Sequence, residues 1–410
     1  MIDSIRVLMA SIATILFTVA TLMANACVAQ TPASVTWQPA TAAAMAQSGD
    51  NQQQLEAAYH GVNEQERVGL EFLLQNMPVS DLQSLTSDFL VEHVRYAYQV
   101  RNEVEWAKQI PEEIFLNNVL PYASINERRD GWRKDFFERF TPLVENCPTA
   151  ALTATKLNRE IFPLLNVRYS TKRPKPDQSP YETIEATVAT CTGLSVLLID
   201  ACRAVGVPAR FAGTPLWSDM SGNHSWVEIW DQDWHVLGAA EQDGDKLDSV
   251  WFSQRAAQAK RDEPRHAIYA TSFRRTPLRF PLVWDRRNHD VYAVNVTDRY
   301  TSRQEPLPDG ALRVYFRAIS SGTGERQTVQ VSIKDAEQRE VFHGATKDER
   351  FDMNDHLSAA LPSGGTYELK ALSGGTTATT TFTLTQPEQL VTVEIGEPTD
   401  NGRQAPAASQ

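Results

Sequence analysis

The sequence has no long basic stretch and fewer basic than acidic residues. Lysine and arginine together number 39 against 51 aspartates and glutamates, a formal net charge of −12. Nucleic-acid-binding proteins usually present a basic surface to the phosphates, so nucleic acid is not expected as a partner. The sequence also has no internal repeat and no glycine-rich phosphate-binding motif, and it therefore gives no support for nucleotide chemistry.

Cysteine is scarce, with four residues in a chain of 410. Cys27 lies in the N-terminal segment, which leaves Cys147, Cys191 and Cys202 in the rest of the chain. In an exported protein, an odd number of cysteines leaves at least one thiol unpaired, and such a thiol is a candidate for chemistry.

The N-terminal segment is typical of a secretory signal peptide. Arg6 precedes an uncharged run over residues 7–26, and small residues follow at positions 24, 26 and 29. This order predicts a signal peptide at residues 1–29 and an exported protein, periplasmic or secreted. The alternatives are a retained membrane anchor, because the run is about long enough to span a bilayer, and lipidation of Cys27. A membrane partner is expected only in those two cases.

Composition and periodicity divide the rest of the chain into five segments. Apolar residues recur at helical spacing over residues 55–165, and a helix followed by strands is indicated in residues 166–288. Short alternating strands separated by glycine-containing turns fill residues 289–397. The predicted fold class is α+β, with a linker at 30–54, a helical domain at 55–165, a mixed core at 166–288, an Ig-like β-sandwich at 289–397 and a disordered tail at 398–410.

One helix of the mixed core places a cysteine in its first turn. Apolar residues at three- and four-residue steps predict a helix between Thr190, its N-cap, and Gly206, which ends it. Cys191 then lies where free N–H groups and the helix dipole favour a thiolate and can stabilise an oxyanion. The alternative is a small buried hydrophobic residue. Cys202, on the apolar stripe of the same helix, is interpreted as core, and Cys147 as structural.

A histidine and an acid follow on two predicted strands. His224 opens a strand of strict two-residue alternation, directly after a turn that should expose it. A neutral imidazole within hydrogen-bond reach can activate a thiol. The next strand is predicted to form a hairpin across residues 231–233, which places Glu241 near His224 as the acid that orients the ring. Asp243 and Asp245 would need a bend to reach the ring, and a solvated loop position is the alternative for Glu241.

These stretches together resemble the transglutaminase-like superfamily, whose papain-type core has a cysteine at a helix start and then a histidine and an acid on successive strands. The matching stretches are residues 190–195 (TCTGLS), 202–210 (CRAVGVPAR) and 223–228 (NHSWVE). The resemblance covers about residues 166–252 and implies that Cys191 is the nucleophile and His224 its base. It departs at one position, because a Trp-x-x-x-Asp pattern is usual and Gly238 stands four residues after Trp234.

A bacterial exported subgroup of the superfamily is similar over a wider range of the chain. The additional stretches are residues 114–116, 120–122 and 132–133. This resemblance implies a helical domain packed against the cleft. We expect Phe115, Tyr122 and Trp132 to be core residues rather than substrate contacts.

The resemblance implies an enzyme that forms a thioester acyl-enzyme at Cys191 on a peptide or protein substrate. Resolution by water, as in a peptidase or amidase, is the expected reaction, because no calcium loop is evident. The alternatives are a protein-glutamine acyltransferase that forms crosslinks and a non-catalytic scaffold whose β-domain binds protein or carbohydrate. No cofactor or metal is expected, since Cys191, His224 and His235 lack the spacing of a zinc site.

Overall fold

In the computed structural model, the part of the chain that can be described is residue 35 and residues 37–241, 246–302 and 306–396. The predicted signal peptide, the predicted tail, Asp243 and Asp245 lie outside these residues. Within them, no helix is both long enough and apolar enough to cross a membrane. Contact density separates residues 1–42 from residues 43–410, and the site described below belongs entirely to the second unit.

The first part of the described chain is helical, as its periodicity predicts. Several helices begin at capping side chains: Asn63 and Glu66 form a capping box, and Thr86 and Thr149 accept hydrogen bonds from backbone N–H groups. The helices are α1 (Pro39–Met45), α2 (Gln52–Gly61), α3 (Glu64–Asn76), α4 (Val79–Leu82), α5 (Ser87–Glu103), α6 (Glu112–Asn118), α7 (Trp132–Val144) and α8 (Ala150–Leu164).

The segment 30–54, for which the composition predicts a linker, is helical in part. It contains α1 and the first turn of α2. Alanine and glutamine are frequent there, and both are good helix formers, so a composition low in large apolar residues did not prevent helix formation.

Three aromatic residues of the helical region are buried, as expected for core positions. Phe115, Tyr122 and Trp132 have at most 1% of their surface exposed. Arg133, also buried, donates hydrogen bonds to the carbonyl oxygens of residues 119–121 at 2.8–3.0 Å. Because buried carbonyl groups need donors, this side chain holds the irregular segment after α6 against the core.

The middle of the chain forms a six-stranded antiparallel sheet with the strand order β5-β4-β3-β6-β8-β7. A separate pair of short parallel strands, β1 and β2, precedes it. The elements of this region are β1 (Arg168–Tyr169), α9 (Pro180–Ala186), β2 (Val188–Ala189), α10 (Cys191–Ala204), β3 (Ala209–Thr214), β4 (His224–Asp231), β5 (Asp233–Leu237), α11 (Ser253–Ala256), β6 (Tyr269–Ser272), β7 (Leu278–Arg279), β8 (Tyr292–Asn295) and α12 (Thr297–Thr301).

Helix α10 packs on this sheet and is buried along most of its length. Its apolar stripe shares one core with Val227 and Ile229 of β4. Trp226, the residue before Val227, points to the opposite face and joins a second core with Phe252. This alternation follows from the two-residue period of a strand. Each large apolar side chain buried in this way contributes about 1.5–3 kcal/mol, so α10 and β4 are held firmly against each other.

The last part of the described chain consists of two four-stranded sheets with one shared hydrophobic core, the arrangement of a β-sandwich. A loop of residues 346–356, called the 346–356 loop below, connects a strand of one sheet to a strand of the other. The strands are β9 (Ala311–Ser320), β10 (Arg326–Gln327), β11 (Gln330–Lys334), β12 (Glu340–Ala345), β13 (Leu357–Pro362), β14 (Thr366–Ser373), β15 (Thr376–Thr383) and β16 (Gln389–Ile395).

Candidate active site

Helix α10 begins at Cys191, which lies in its first turn as predicted. Thr190 occupies the N-cap position with an extended backbone, but its side chain does not cap the helix. Its hydroxyl oxygen accepts a hydrogen bond from Arg173 Nε at 2.6 Å instead. The N-cap prediction is therefore correct in position and wrong in its hydrogen bond, because the charged donor takes the hydroxyl. Gly206, at φ 93°, follows the helix end as predicted.

His224 is the first residue of β4 and is only 2% exposed. The expectation that a turn exposes it is wrong, because aromatic side chains and the 346–356 loop pack around it. Its ring centroid lies 4.7–6.0 Å from those of four aromatic residues, namely Trp217, Trp226, Trp251 and Phe252. This burial lowers the pKa of His224, against an opposing effect of the Asp352 charge. The imidazole is therefore neutral at neutral pH.

The structure brings the thiol and the imidazole together. Cys191 Sγ, a ring nitrogen of His224 and a carboxylate oxygen of Asp352 all lie within 4.8 Å of one another. Burial, followed by the charge of Asp352, raises the pKa of the Cys191 thiol to about 12. Hydrogen bonds from Ser225 and Thr192 act in the opposite direction. The lower pKa expected at a helix start is thus corrected, because desolvation outweighs the helix terminus here.

Glu241 is also brought to His224, on the side of the other ring nitrogen. Its Oε1 lies 4.0 Å from His224 Nε2, beyond hydrogen-bond distance, and accepts a hydrogen bond from Trp251 Nε1 at 2.9 Å. Burial and the charges of Asp355 and Asp352 raise the pKa of Glu241 to about 8. Glu241 is therefore mostly protonated at neutral pH in this conformation.

The hairpin that carries Glu241 has the predicted register. Val227 pairs with Leu237 and Asp231 with Asp233, and the same register continued would put residue 240 opposite His224. The turn is tighter than expected, since Gln232 alone, at φ 64°, joins the two strands. Beyond the strand, Asn158 of α8 fixes the next turn: its Nδ2 donates to Gly238 O and its Oδ1 accepts from Ala240 N, both at 2.8 Å.

Asp352 reaches the site from the 346–356 loop. Its Oδ2 lies 3.6 Å from His224 Nδ1, and its side chain is 8% exposed. Arg326 donates hydrogen bonds to the carbonyl oxygens of Phe351 and Asp352 at 2.7 and 2.9 Å. Tyr169 of the core accepts a hydrogen bond from Met353 N at 2.9 Å. The carboxylate is therefore placed by a loop that is anchored on both sides.

Sequence reasoning missed Asp352, and also Ser225, Thr192, Trp251 and Tyr169. Ser225 directly follows His224 in the matched stretch 223–228, and this adjacency could have marked it as a site residue. Nothing comparable marks Asp352, which lies in a different predicted domain.

A cavity of about 320 Å³ lies between the core and the 346–356 loop, and it is lined by the Cys191 thiol and by three acids, Glu241, Asp352 and Asp355. Two basic residues lie at the same cavity, and Lys347 Nζ is 2.6 and 2.7 Å from the carboxylate oxygens of Asp355. The cavity is lined by Tyr169, Cys191, Leu194, His224, Ser225, Ala239, Ala240, Glu241, Trp251, Lys347, Arg350, Phe351, Asp352 and Asp355.

The remaining polar candidates lie elsewhere. His235 Nδ1 pairs with Asp248 Oδ2 at 2.8 Å rather than with the thiol. Cys202 is fully buried in the core, as predicted, and Cys147 is half-buried. Both thiols are free, as is that of Cys191.

Comparison with known proteins agrees with this geometry. Residues 141–239, which contain α8, α10 and strands β3 to β5, match the family model of the transglutaminase-like superfamily. Over these residues, about a quarter of the chain, the protein is similar to the transglutaminase-like superfamily. No curated protein sequence matches the chain significantly.

Two solved structures illustrate the similarity at low sequence identity. A candidate cysteine protease from Cytophaga hutchinsonii is 17% identical, with a TM-score of 0.24 and coverage of 40% of this chain and 52% of that one. Red sea bream transglutaminase is 11% identical, with a TM-score of 0.25 and coverage of 62% and 58%. The chain thus spans just over half the length of each of these proteins.

Proposed function

We propose that this protein is a cysteine hydrolase that forms a thioester acyl-enzyme at Cys191 and resolves it with water, acting on an amide bond of a peptide or protein. One observation carries the proposal: the thiol and the imidazole of His224 lie within 4.8 Å of each other at the wall of a cavity. A nucleophile beside a base at a cavity is the arrangement that covalent acyl transfer requires.

In the first half-reaction, Cys191 Sγ attacks the carbonyl carbon of the substrate amide while His224 takes the thiol proton. The carbonyl oxygen becomes an oxyanion, and the free N–H groups at the start of α10 are placed to donate to it. The C–N bond then breaks, the imidazolium gives its proton to the leaving amine, and a thioester remains. In the second half-reaction, His224 takes a proton from water while the water oxygen attacks the thioester carbon. The C–S bond then breaks to release the acid, and the imidazolium returns its proton to the sulfur, which restores the thiol.

The protonation states support proton transfer during the attack rather than a preformed ion pair. The lowered pKa of His224 keeps the imidazole neutral, and the raised pKa of Cys191 keeps the sulfur protonated at neutral pH. A neutral imidazole is the form that can accept the proton. Glu241, on the Nε2 side of the ring at 4.0 Å, is the group that we assign to orient the ring. We place the reaction outside the cytoplasm, on the pattern of residues 1–29.

The test is the capture of the acyl-enzyme by intact-mass spectrometry with activated peptide esters as acyl donors. We expect one acyl adduct on the wild-type chain that decays in water, and no adduct on Cys191→Ala. His224→Ala should slow acylation by at least about 100-fold. Cys202→Ala, which removes a core thiol, serves as the matched control and should acylate normally. An adduct that persists in Cys191→Ala contradicts the proposal.

A second measurement separates hydrolysis from acyl transfer. A glutamine-containing peptide is offered with and without a primary amine, and the products are identified by mass. Free acid in both cases supports hydrolysis. An amine conjugate as the main product would assign the protein to the glutamine acyltransferases instead.

A further inference from the structure

Three side chains of different chemical classes converge beside the cavity. A thiol, an imidazole nitrogen and a carboxylate oxygen, from Cys191, His224 and Asp352, lie within 4.8 Å of one another. They come from three separate elements: helix α10, strand β4 and the 346–356 loop. Sulfur, imidazole nitrogen and carboxylate oxygen are the ligand types that Zn²⁺ takes in proteins.

The compactness of this group distinguishes it from a linear proton relay. In a relay, the thiol and the orienting acid lie against opposite ring nitrogens. Their separation is then about 8 Å, since each hydrogen bond spans about 3 Å and the ring adds about 2 Å. The thiol and the Asp352 carboxylate are much closer than this. Glu241 and Asp352 also lie against different nitrogens, Nε2 and Nδ1, so Asp352 does not share the position assigned to Glu241.

The imidazole at the centre of the group has unsatisfied nitrogens. His224 is 2% exposed, and within the described part of the chain neither ring nitrogen has a hydrogen-bond partner. A buried polar atom without a partner typically costs about 1–3 kcal/mol. A cation held between the thiolate and the carboxylate would give one of these nitrogens a ligand bond, and it would leave the other facing Glu241.

We propose that Cys191, His224 and Asp352 form a site for Zn²⁺, with the fourth coordination position open to the cavity. Binding displaces the thiol proton to solvent, and the thiolate and the carboxylate together balance the charge of the ion. Zn–ligand bonds of about 2.0–2.3 Å require ligand atoms nearer than 4.8 Å, so the loop closes further when the ion binds. His235 takes no part, because it pairs with Asp248.

The consequence for activity rests on the function proposed above. Zn²⁺ occupies the lone pairs of both the nucleophile and the base, so the metal-bound enzyme is inactive. Because Asp352 belongs to the β-sandwich, the ion also ties that part of the chain to the core. The site is therefore inhibitory rather than catalytic, and chelation restores the free thiol.

The experiment is a Co²⁺ titration of the full chain followed by absorption spectroscopy, with Zn²⁺ affinity measured by competition against a chromophoric chelator. We expect one equivalent of Co²⁺ to give a thiolate-to-metal charge-transfer band that is lost in Cys191→Ser. Asp352→Asn, which is nearly isosteric, should weaken Zn²⁺ binding by at least about 10-fold, because loss of even an outer-shell partner of a metal site costs about 10–100-fold. Cys202→Ser and His235→Ala are the controls and should bind as the wild type does.

Two results would overturn the site. One is a charge-transfer band that survives in Cys191→Ser, and the other is an unchanged Zn²⁺ affinity in Asp352→Asn. A further test needs no variant: one equivalent of Zn²⁺ should protect Cys191 of the wild-type chain from iodoacetamide. Unchanged labelling of Cys191 counts against the proposal. These readouts use no substrate. A chain that binds zinc without forming an acyl-enzyme would refute the proposed function alone, and an acylating chain that binds no zinc would refute the site alone.

Discussion

The carboxyl group of Glu241 lies over Gly238, in the space that a side chain at position 238 would occupy. A Cβ built on Gly238 would collide with the carboxyl atoms of Glu241. Position 238 is the place where related proteins usually carry an acid, four residues after Trp234. Glu241, three residues further along the chain, therefore fills the space that an aspartate at position 238 would use. This arrangement requires a residue without a side chain at position 238.

This relationship predicts a non-additive pair of substitutions. Gly238→Ala alone should displace the Glu241 carboxyl from its hydrogen bond with Trp251 and lower the free energy of unfolding by about 0.5–1.5 kcal/mol. In a chain that already carries Glu241→Ala, Gly238→Ala should add little to the loss. Urea denaturation of the single and double variants measures the coupling. The backbone of Gly238 is not in the left-handed region, so strain at position 238 does not account for the effect. Strictly additive losses would contradict the packing explanation.

The raised pKa of Glu241 predicts a pH-dependent stability. The folded state holds the proton up to about pH 8, whereas the unfolded carboxyl releases it near 4.5. The folded state thus binds more protons between these values, so the contribution of Glu241 to stability falls as pH rises from about 5 to 8. We expect Glu241→Gln to remove a decline on the order of 1–3 kcal/mol, measured by urea denaturation across this range.

The control for this prediction is Glu105→Gln. Glu105 is 86% exposed, and its substitution should leave the pH profile unchanged. A wild-type profile parallel to that of Glu241→Gln would show that Glu241 titrates normally.

Much of the core could be predicted from the sequence because its signals are local. The start of α10 at Cys191 and the register of the hairpin follow from apolar spacing, an N-cap position and strand alternation. These patterns depend on neighbouring residues only. The same holds for the alternating strands that predict the β-sandwich.

The missed features depend on contacts between distant segments. The burial of His224 results from aromatic side chains in other elements, and Asp352 arrives on a loop of the β-sandwich. A thiol at a helix start is expected to ionise easily, but Cys191 is half-buried, and its burial and the negative charge of Asp352 raise its pKa. No local pattern encodes either effect, so the sequence predicts that Cys191, His224 and Glu241 meet, but neither the arrival of Asp352 nor the protonation of the site.

The hydrogen bond between Tyr169 and the 346–356 loop is expected to control the access of small reagents to Cys191. Its hydroxyl accepts a hydrogen bond from Met353 N, so Tyr169→Phe leaves a donor of the 346–356 loop unpaired, at a cost of about 1–3 kcal/mol. We expect the loop to open more often and the alkylation of Cys191 by iodoacetamide to accelerate. Tyr367→Phe is the matched control, because that buried tyrosine donates to Pro362 O at 2.8 Å within the β-sandwich. Equal acceleration in both variants would exclude a local effect of the loop.

The buried charge of Glu228, four residues after His224 on β4, predicts a large loss of stability when it is removed. Its carboxylate is fully buried, 2.6–2.7 Å from two guanidinium nitrogens of Arg210, and accepts a hydrogen bond from Tyr300 at 2.7 Å. Glu228→Gln leaves the guanidinium without its counter-charge and should cost about 3–5 kcal/mol. Arg210→Met in the same chain should recover part of this. Chemical denaturation decides the point, and a loss below about 1 kcal/mol for Glu228→Gln would show that the pair contributes little.

The charge of Asp352 is expected to influence the pH at which the Cys191 thiol becomes reactive. Its charge is the second cause of the raised pKa of Cys191, after burial, so Asp352→Asn should lower that pKa and move the alkylation profile toward lower pH. The matched control is Asp355→Asn, on the same loop, whose carboxylate is paired with Lys347 and is not among the causes of the Cys191 shift. Iodoacetamide labelling rates between about pH 6 and 11, with the modified peptide identified by mass, measure both profiles.

Because burial remains in Asp352→Asn, the pKa of Cys191 read from its profile should stay above that of an ordinary thiol, which is about 8.5. A profile that does not move in Asp352→Asn, or that moves equally in Asp355→Asn, would show that the carboxylate of Asp352 does not control the thiol.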